Sequence, residues 1–341
     1  MTTTPLTMMG APGSPYTRKM RALLRYRNIP YRMILQGSTE HRSLPAPRVP
    51  LLPTFYLPDD AGSVVPVTDS TPLIRRFERE FPGKSVLPTD PVIGFLDALL
   101  EDYGDEWLTK AMFHYRWSYE ADIAKAASIL PLWSRVSVTD AALEPFSKMI
   151  AERQIARLGV VGSNAVTAPV IEASYLRFLQ LLDAHLQTQP FLLGERPSAS
   201  DFAIYGQLTA LVLFDPTPAA ICTKEAPRVY AWVEQLEDLS GLDTDDIGWT
   251  TRDAITDTQR ALLCEVGRVH APYLVANGAA IAAGAEKLET TIDGARWEQK
   301  PFPYQAKCLR ALREAREALS AGDRAALDGI LAGTGCEVLF A

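Results

Sequence analysis

The stretch Leu6-Thr7-Met8-Met9-Gly10-Ala11-Pro12-Gly13-Ser14-Pro15-Tyr16-Thr17, read together with the residues that follow it to Leu35, decides the fold. Leu6, Met8 and Met9 form a short apolar run that suits a buried strand. The Gly13-Ser14-Pro15 turn then opens a helix, because Pro15 in a first turn lacks only an N–H that has no intrahelical partner anyway. Ser14 is the natural N-cap. Tyr16, Met20, Leu23 and Leu24 recur on one helical face, with Arg18, Arg21 and Arg25 away from it. Tyr31 to Leu35, after Pro30, reads as a second strand. The unit is therefore βαβ, with a hydroxyl where a parallel strand feeds a helix N-terminus, a place suited to anions and to chemistry.

Working outward, Ser14-Pro15-Tyr16-Thr17 stands where a thioredoxin-like protein carries its Cys-x-x-Cys pair, but neither cysteine is present, which removes dithiol chemistry. Leu51-Leu52-Pro53-Thr54-Phe55 looks like a cis-proline entry to a third strand, with Pro50 as a competing choice. Asp69-Ser70-Thr71-Pro72-Leu73-Ile74 looks like an acidic-Ser turn opening a helix of about 71–80. Farther on, Phe191-Leu192-Leu193-Gly194 precedes Pro197-Ser198-Ala199-Ser200-Asp201-Phe202, a capping-box variant of a kind that contributes about 1 kcal/mol. In this order the segments resemble the glutathione transferase superfamily over residues 5–240. The resemblance implies that the backbone at Leu52, before Pro53, pairs with the cysteinyl part of glutathione and that Asp69 and Ser70 hold its γ-glutamyl end.

The fold expected is an α/β thioredoxin-like domain over 1–82, an all-α helical bundle over 91–240, and a mostly helical C-terminal extension with a β-hairpin over 241–341. The boundary rests on the breaks at Phe81-Pro82-Gly83 and Pro88-Thr89-Asp90-Pro91. Strands near 55–57 and 64–67 complete the first domain, the latter marked as an edge by Pro66. Phe95, Leu99, Tyr103 and Trp107 form one stripe of a long helix running on through Phe113 and Trp117, and a second helix spans about 171–186. In the extension, helical periodicity returns at 255–269 and 306–319, and the Ala- and Gly-rich 272–287 could pack closely on another helix. Leu288 to Gln299 alternates about Asp293-Gly294, a type I′ hairpin signal. A lone hairpin is marginal in water, so it should dock. Two placements follow: the extension covers the helical domain, or the hairpin, with Trp297 and Phe302, overhangs the cleft as a lid.

With 341 residues the chain is long enough for two or three domains. A net charge of −7 argues against a nucleic-acid footprint, and the basic cluster from Arg18 to Arg27 reads as a solvated helix face. Cys222, Cys264, Cys308 and Cys336 share no close spacing, as expected of free buried thiols in a reducing compartment, and the four histidines show no metal-ligand spacing. Met-Thr-Thr-Thr-Pro does not begin a signal sequence, and no apolar run is long enough to span a bilayer. A cytoplasmic protein without nucleic-acid or membrane partners is expected.

A free thiol titrates near pH 8.5, so about 3% is thiolate at pH 7; lowering that pKa by roughly two units makes most of it nucleophilic. Ser14 could donate its hydroxyl to such a thiolate at the helix N-terminus, where the macrodipole adds to the effect. Tyr16 is a rival hydroxyl, although its stripe position suits core packing. The resemblance implies glutathione as co-substrate with no tightly bound cofactor, a small hydrophobic electrophile, a substrate wall on the long helix at Tyr103 and Trp107, and a homodimer pairing first domain against second. The activity implied is transfer of an alkyl or aryl group to glutathione. A non-catalytic binding or scaffolding protein on the same fold is the alternative, and dehalogenation or isomerisation would use the same thiolate.

Overall fold

A computed structural model describes residues 4–243 and 248–341. β1 (Leu6–Gly10), α1 (Pro15–Tyr26) and β2 (Tyr31–Leu35) form the expected parallel unit, followed by the short α2 (Thr39–Arg42), β3 (Thr54–Pro58), β4 (Val64–Val67) and α3 (Ser70–Glu80). The sheet order is β2-β1-β3-β4: β1 runs parallel to β2 in the register Met8 to Met33 and antiparallel to β3, leaving β4 with Pro66 at the edge. The Leu52–Pro53 bond is cis.

The helical domain comprises α4 (Pro91–Asp102), α5 (Leu108–Ser118), α6 (Glu120–Ile129), α7 (Asp140–Ile155), α8 (Ala168–His185), α9 (Ala199–Leu208), α10 (Pro216–Glu225) and α11 (Pro227–Leu236). α4 and α5 are one helical run interrupted by a π-helical turn at Tyr103–Trp107. The Ser198 box caps α9: the Ser198 N–H donates to Asp201 Oδ2 at 2.8 Å, and Asp201 Oδ1 accepts from the Leu192 N–H at 2.9 Å. α1 packs against α9, and Gly206 makes this possible, since a Cβ there would lie 2.6 Å from the Pro15 carbonyl oxygen.

The basic cluster is not a solvated face. Arg18, Arg21 and Arg25 converge on Glu237 just beyond α11, at 3.4, 3.2 and 2.6 Å, and Arg27 is buried with Glu78 at 3.2 Å. Three guanidiniums that carry charge into solvent in the sequence pattern instead fasten the first domain to the second.

The extension contains α12 (Asp257–Glu265), α13 (Ala271–Ala282), the hairpin of β5 (Leu288–Ile292) and β6 (Ala295–Gln299), α14 (Pro303–Glu317) and α15 (Ala321–Leu331). Asp293 and Gly294, at φ of 51° and 72°, make the hairpin turn. Gly278 of α13 admits α14 so closely that a Cβ would lie 2.8 Å from Leu309 Cδ2. α14 and α15 pack on α4, with Phe340 against Phe95 at 5.8 Å between ring centroids. The four cysteines are free, and among the described residues no helix is long and apolar enough to cross a membrane.

Candidate functional site

A cleft of about 430 Å³ opens where β3, α3, the π turn and the start of α14 meet. Leu52, Asp69 and Ser70 all line it, so three residues expected at a glutathione site do come together; Pro53 lies buried behind Leu52. Asp69 has φ of +82°, a left-handed backbone that costs a non-glycine residue of order 1–3 kcal/mol, and its carboxylate makes no cap to α3. That carboxylate instead accepts a hydrogen bond from the Tyr304 hydroxyl at 2.9 Å.

Ser14 and Tyr16 part ways. Ser14 caps α1 by accepting from the Thr17 N–H at 3.4 Å and is not among the residues lining this cleft, while the indole of Trp133 packs against the neighbouring Gly13. Tyr16 does line the cleft, and its hydroxyl donates to the Asp105 carbonyl at 2.8 Å. Burial, and then the nearby Glu106 and Asp105 carboxyls, push the Tyr16 pKa well above its usual value, so the phenol stays a proton donor.

Beneath the cleft floor lies a buried cation. Lys19 is 0% exposed, and its ammonium donates to Asp105 at 2.6 Å, Glu101 at 2.8 Å and the Ser70 hydroxyl at 3.1 Å. Despite burial, those two carboxylates hold its pKa above the usual lysine value, and Lys19 in return holds Glu101 below the usual glutamate value. Asp97, Glu101 and Asp105 recur at four-residue spacing, and Lys19 falls three residues after Tyr16 within the apolar stripe of α1. A lysine on an apolar face and a ladder of acids on a helix were the sequence signals for this network, unused at the sequence level.

Tyr103 and Trp107 do not form a substrate wall. Each is 1% exposed. Trp107 packs on Trp297 at 5.3 Å and Tyr273 at 5.9 Å, and its indole N–H donates to Ser174 at 3.0 Å; Tyr103 meets His270 and Phe178. The extension has covered this face with its own aromatics, and the π turn directs Asp105 and Glu106 to the cleft instead. The apolar wall consists of Val49, Leu51, Val160, Val161 and Phe302. The extension thus covers the helical domain and its hairpin does not overhang the cleft: Trp297 is fully buried in the core and none of residues 288–299 lines the cavity, while Phe302, beyond the hairpin, does.

Glu106, Thr109, Lys110, Arg157 and Gln305 complete the polar lining. Burial, then Asp102, raise the Glu106 carboxyl to about 8, and it accepts from Gln305 at 2.9 Å. Burial lowers Lys110 to about 7, and its ammonium sits 3.9 Å from the Tyr273 ring centroid. Between pH 5 and 7, above the unfolded glutamate pKa and below the folded one, the native state holds an extra proton on Glu106, so this group makes stability fall as pH rises. In urea unfolding, wild type should lose stability relative to Glu106→Gln by about 1.4 kcal/mol per pH unit over this window. Parallel pH dependences of the two proteins would show that Glu106 is ionised in the fold.

Among the described residues no group of three or more His, Cys, Asp or Glu could hold a metal ion. Cys308 is no activated thiol: burial first, then Asp102 and Glu106, drive its pKa far upward.

The family model for the glutathione S-transferase N-terminal domain matches residues 8–85, and that for the C-terminal domain matches residues 150–235. The chain belongs to the glutathione S-transferase superfamily. The glutathione transferase fold covers its first two domains, with the extension added behind them. A GST-like protein from Pseudomonas syringae is 18% identical, with 69% of this chain and 67% of that one covered and a TM-score of 0.40. A glutathione transferase from Pseudomonas putida, solved with glutathione disulfide, is 16% identical over 68% and 90% of the two chains, with a TM-score of 0.41. A glutathione S-transferase from Methylobacterium radiotolerans, in complex with glutathione sulfonate, is 18% identical over 72% and 100%, with a TM-score of 0.38. No curated protein matches the sequence.

Proposed function

We propose that this glutathione transferase relative binds glutathione in the large cleft and activates its thiolate for attack on a small hydrophobic electrophile. The observation that carries this reading is the convergence of Leu52, Asp69, Ser70 and the Tyr16 side chain on one cavity of about 430 Å³. In it the Leu52 backbone pairs with the cysteinyl part, and Asp69 and Ser70 receive the γ-glutamyl end. Tyr16, rather than Ser14, supplies the hydroxyl, because it is the one of the two that lines the cleft. To do so the phenol turns its one O–H from the Asp105 carbonyl to the thiolate, where, held protonated, it stabilises the charge by a charge-assisted hydrogen bond without surrendering its proton. The Val49, Leu51, Val160, Val161 and Phe302 wall receives the electrophile.

Calorimetric titration with glutathione should give saturable one-site binding. A flat titration would leave the alternative, a non-catalytic binding protein, which draws on the Tyr304 hydroxyl already engaging Asp69.

We also propose a monomer in place of the homodimer implied by resemblance. The extension covers surface of both domains, with Tyr304 on Asp69 and both α14 and α15 on α4, and so leaves less of each for pairing first domain against second. Sedimentation velocity should show a species of 37.5 kDa. A species of twice that mass would contradict the monomer.

A further inference from the structure

Two cations line the large cleft, and only one of them is engaged. Lys110 is 1% exposed; its ammonium donates to the Val161 carbonyl at 3.1 Å and to Gln299 at 3.4 Å and lies over the Tyr273 ring. Arg157 is exposed, and among the described residues its guanidinium meets neither a carboxylate nor a hydrogen-bond acceptor. The acids of the cleft are occupied elsewhere: Asp105 with the Lys19 ammonium at 2.6 Å, Asp69 with the Tyr304 hydroxyl at 2.9 Å and Glu106 with Gln305 at 2.9 Å.

Arg157 belongs to the apolar side of the cleft. It follows α7 and opens the single 3-10 turn Leu158–Val160, its carbonyl accepting from the Val160 N–H at 2.9 Å. Val160 and Val161, which come next in the chain, are members of the apolar wall. The Lys110–Val161 bond fastens this segment to α5, and Gly162, at φ of 84°, sits so close to β6 that a Cβ would lie 2.0 Å from Gln299 Oε1. Helical domain and extension together therefore fix the backbone that carries the free guanidinium. In a mostly apolar pocket, orientation and selectivity come from a few placed polar groups. A guanidinium presents a planar fork that matches a carboxylate with two hydrogen bonds, and a single one balances a monoanion rather than a phosphate dianion.

We infer that the electrophile selected by this cleft is an apolar molecule that carries a carboxylate, and that Arg157 is the specificity-determining residue that receives it. This rests on the reading above, in which the apolar wall takes the electrophile, and adds to it the charge of the substrate. The apolar body lies on the wall, the carboxylate pairs with Arg157, and the reacting carbon is left to the thiolate. A contact remote from the bond being made is present in ground state and transition state alike, so its loss raises KM and leaves kcat nearly constant.

The test compares two aryl chlorides of the same shape, 4-chloro-3,5-dinitrobenzoate and 4-chloro-3,5-dinitrobenzamide. With either, the glutathione sulfur bonds to the chlorinated carbon and chloride leaves with the bonding electron pair, so the absorbance of the aryl thioether follows both reactions. Wild type, Arg157→Met and Arg153→Met are assayed as full chains. Arg153, an exposed cation of α7 that does not line the cleft, controls for net charge. Arg157→Met should raise KM for the benzoate about tenfold, in keeping with one charge-assisted contact near solvent, and change kcat/KM for the benzamide less than twofold. Arg153→Met should move neither by more than twofold. No loss with Arg157→Met, an equal loss on both electrophiles, a loss matched by Arg153→Met, or wild-type turnover of the benzamide alone would overturn the inference while leaving transfer intact. A raised KM for glutathione in Arg157→Met would assign the residue to the glycyl carboxylate and overturn it as well. Should wild type turn over neither electrophile, the functional reading fails first, and the anion site is decided by saturation-transfer NMR with the benzoate as probe. Transfer that Arg157→Met removes and Arg153→Met retains sustains the site; transfer absent from wild type, equal in Arg157→Met, or lost in both variants overturns it.

Discussion

Replacing Lys19 with methionine is expected to destabilise the protein by about 3–5 kcal/mol, the usual cost of removing one partner from a buried ion pair. The ammonium is 0% exposed and contacts Asp105, Glu101 and Ser70 at once. Without it, two buried carboxyls face each other with only the Thr71 hydroxyl donating to Glu101. Burial and the coulombic effect of Glu101 already raise Asp105 to about 7, so Asp105 is the group that would take up a proton in the variant. Chemical denaturation measures the loss directly. The substitution should also abolish glutathione binding under native conditions, because Ser70 and the π turn lose the tie that fixes them across the two domains. A stability change below about 1 kcal/mol would show that the network is not the structural centre of the cleft.

The second large effect is expected from Trp297→Ala. Trp297 is 0% exposed and packs against Trp107 at 5.3 Å and Tyr273 at 5.8 Å, with the Lys110 ammonium 5.7 Å from its ring centroid. Truncating a buried tryptophan costs about 3–5 kcal/mol from lost burial and the cavity left behind. The loss falls at the seam between helical domain and extension, so limited proteolysis should cut the hairpin and α14 of the variant at protease levels that spare wild type. Since Phe302, Tyr304 and Gln305 follow the hairpin into the cleft, glutathione affinity should fall with it. Cleavage at the wild-type rate would mean that the extension is held by contacts other than this aromatic cluster.

Parts of this arrangement were legible in the sequence because their causes are local. The Asp293-Gly294 turn carries its own conformational preference, and the Ser198 box satisfies its own helix end, so neither depends on distant residues. The Leu6–Leu35 unit is likewise written in one short stretch. Other features have distant causes. Tyr103 and Trp107 sit at helical spacing that suits a cleft wall as well as a core, and what decides between them is Tyr273 and Trp297 arriving from the extension. The Arg18, Arg21 and Arg25 cluster looked solvated because its counterion, Glu237, lies more than two hundred residues away. Whether Pro50 or Pro53 would be cis was open for the same reason, since tertiary context selects the isomer, and the structure places it at Pro53. Tyr304 was invisible as a site residue: nothing near it marks a helix start as a cleft wall until α14 is laid against Asp69.

The most direct test of the activating hydroxyl is the ultraviolet thiolate difference spectrum of bound glutathione, recorded near neutral pH for wild type, Tyr16→Phe and Ser14→Ala. Loss of one hydrogen bond to a charged group is worth about 1.5–3 kcal/mol, roughly one to two pKa units of the bound thiol. A thiolate band in wild type that Tyr16→Phe removes and Ser14→Ala retains is the expected result. A band that persists in Tyr16→Phe and vanishes in Ser14→Ala would contradict it and return the catalytic role to the serine at the helix cap.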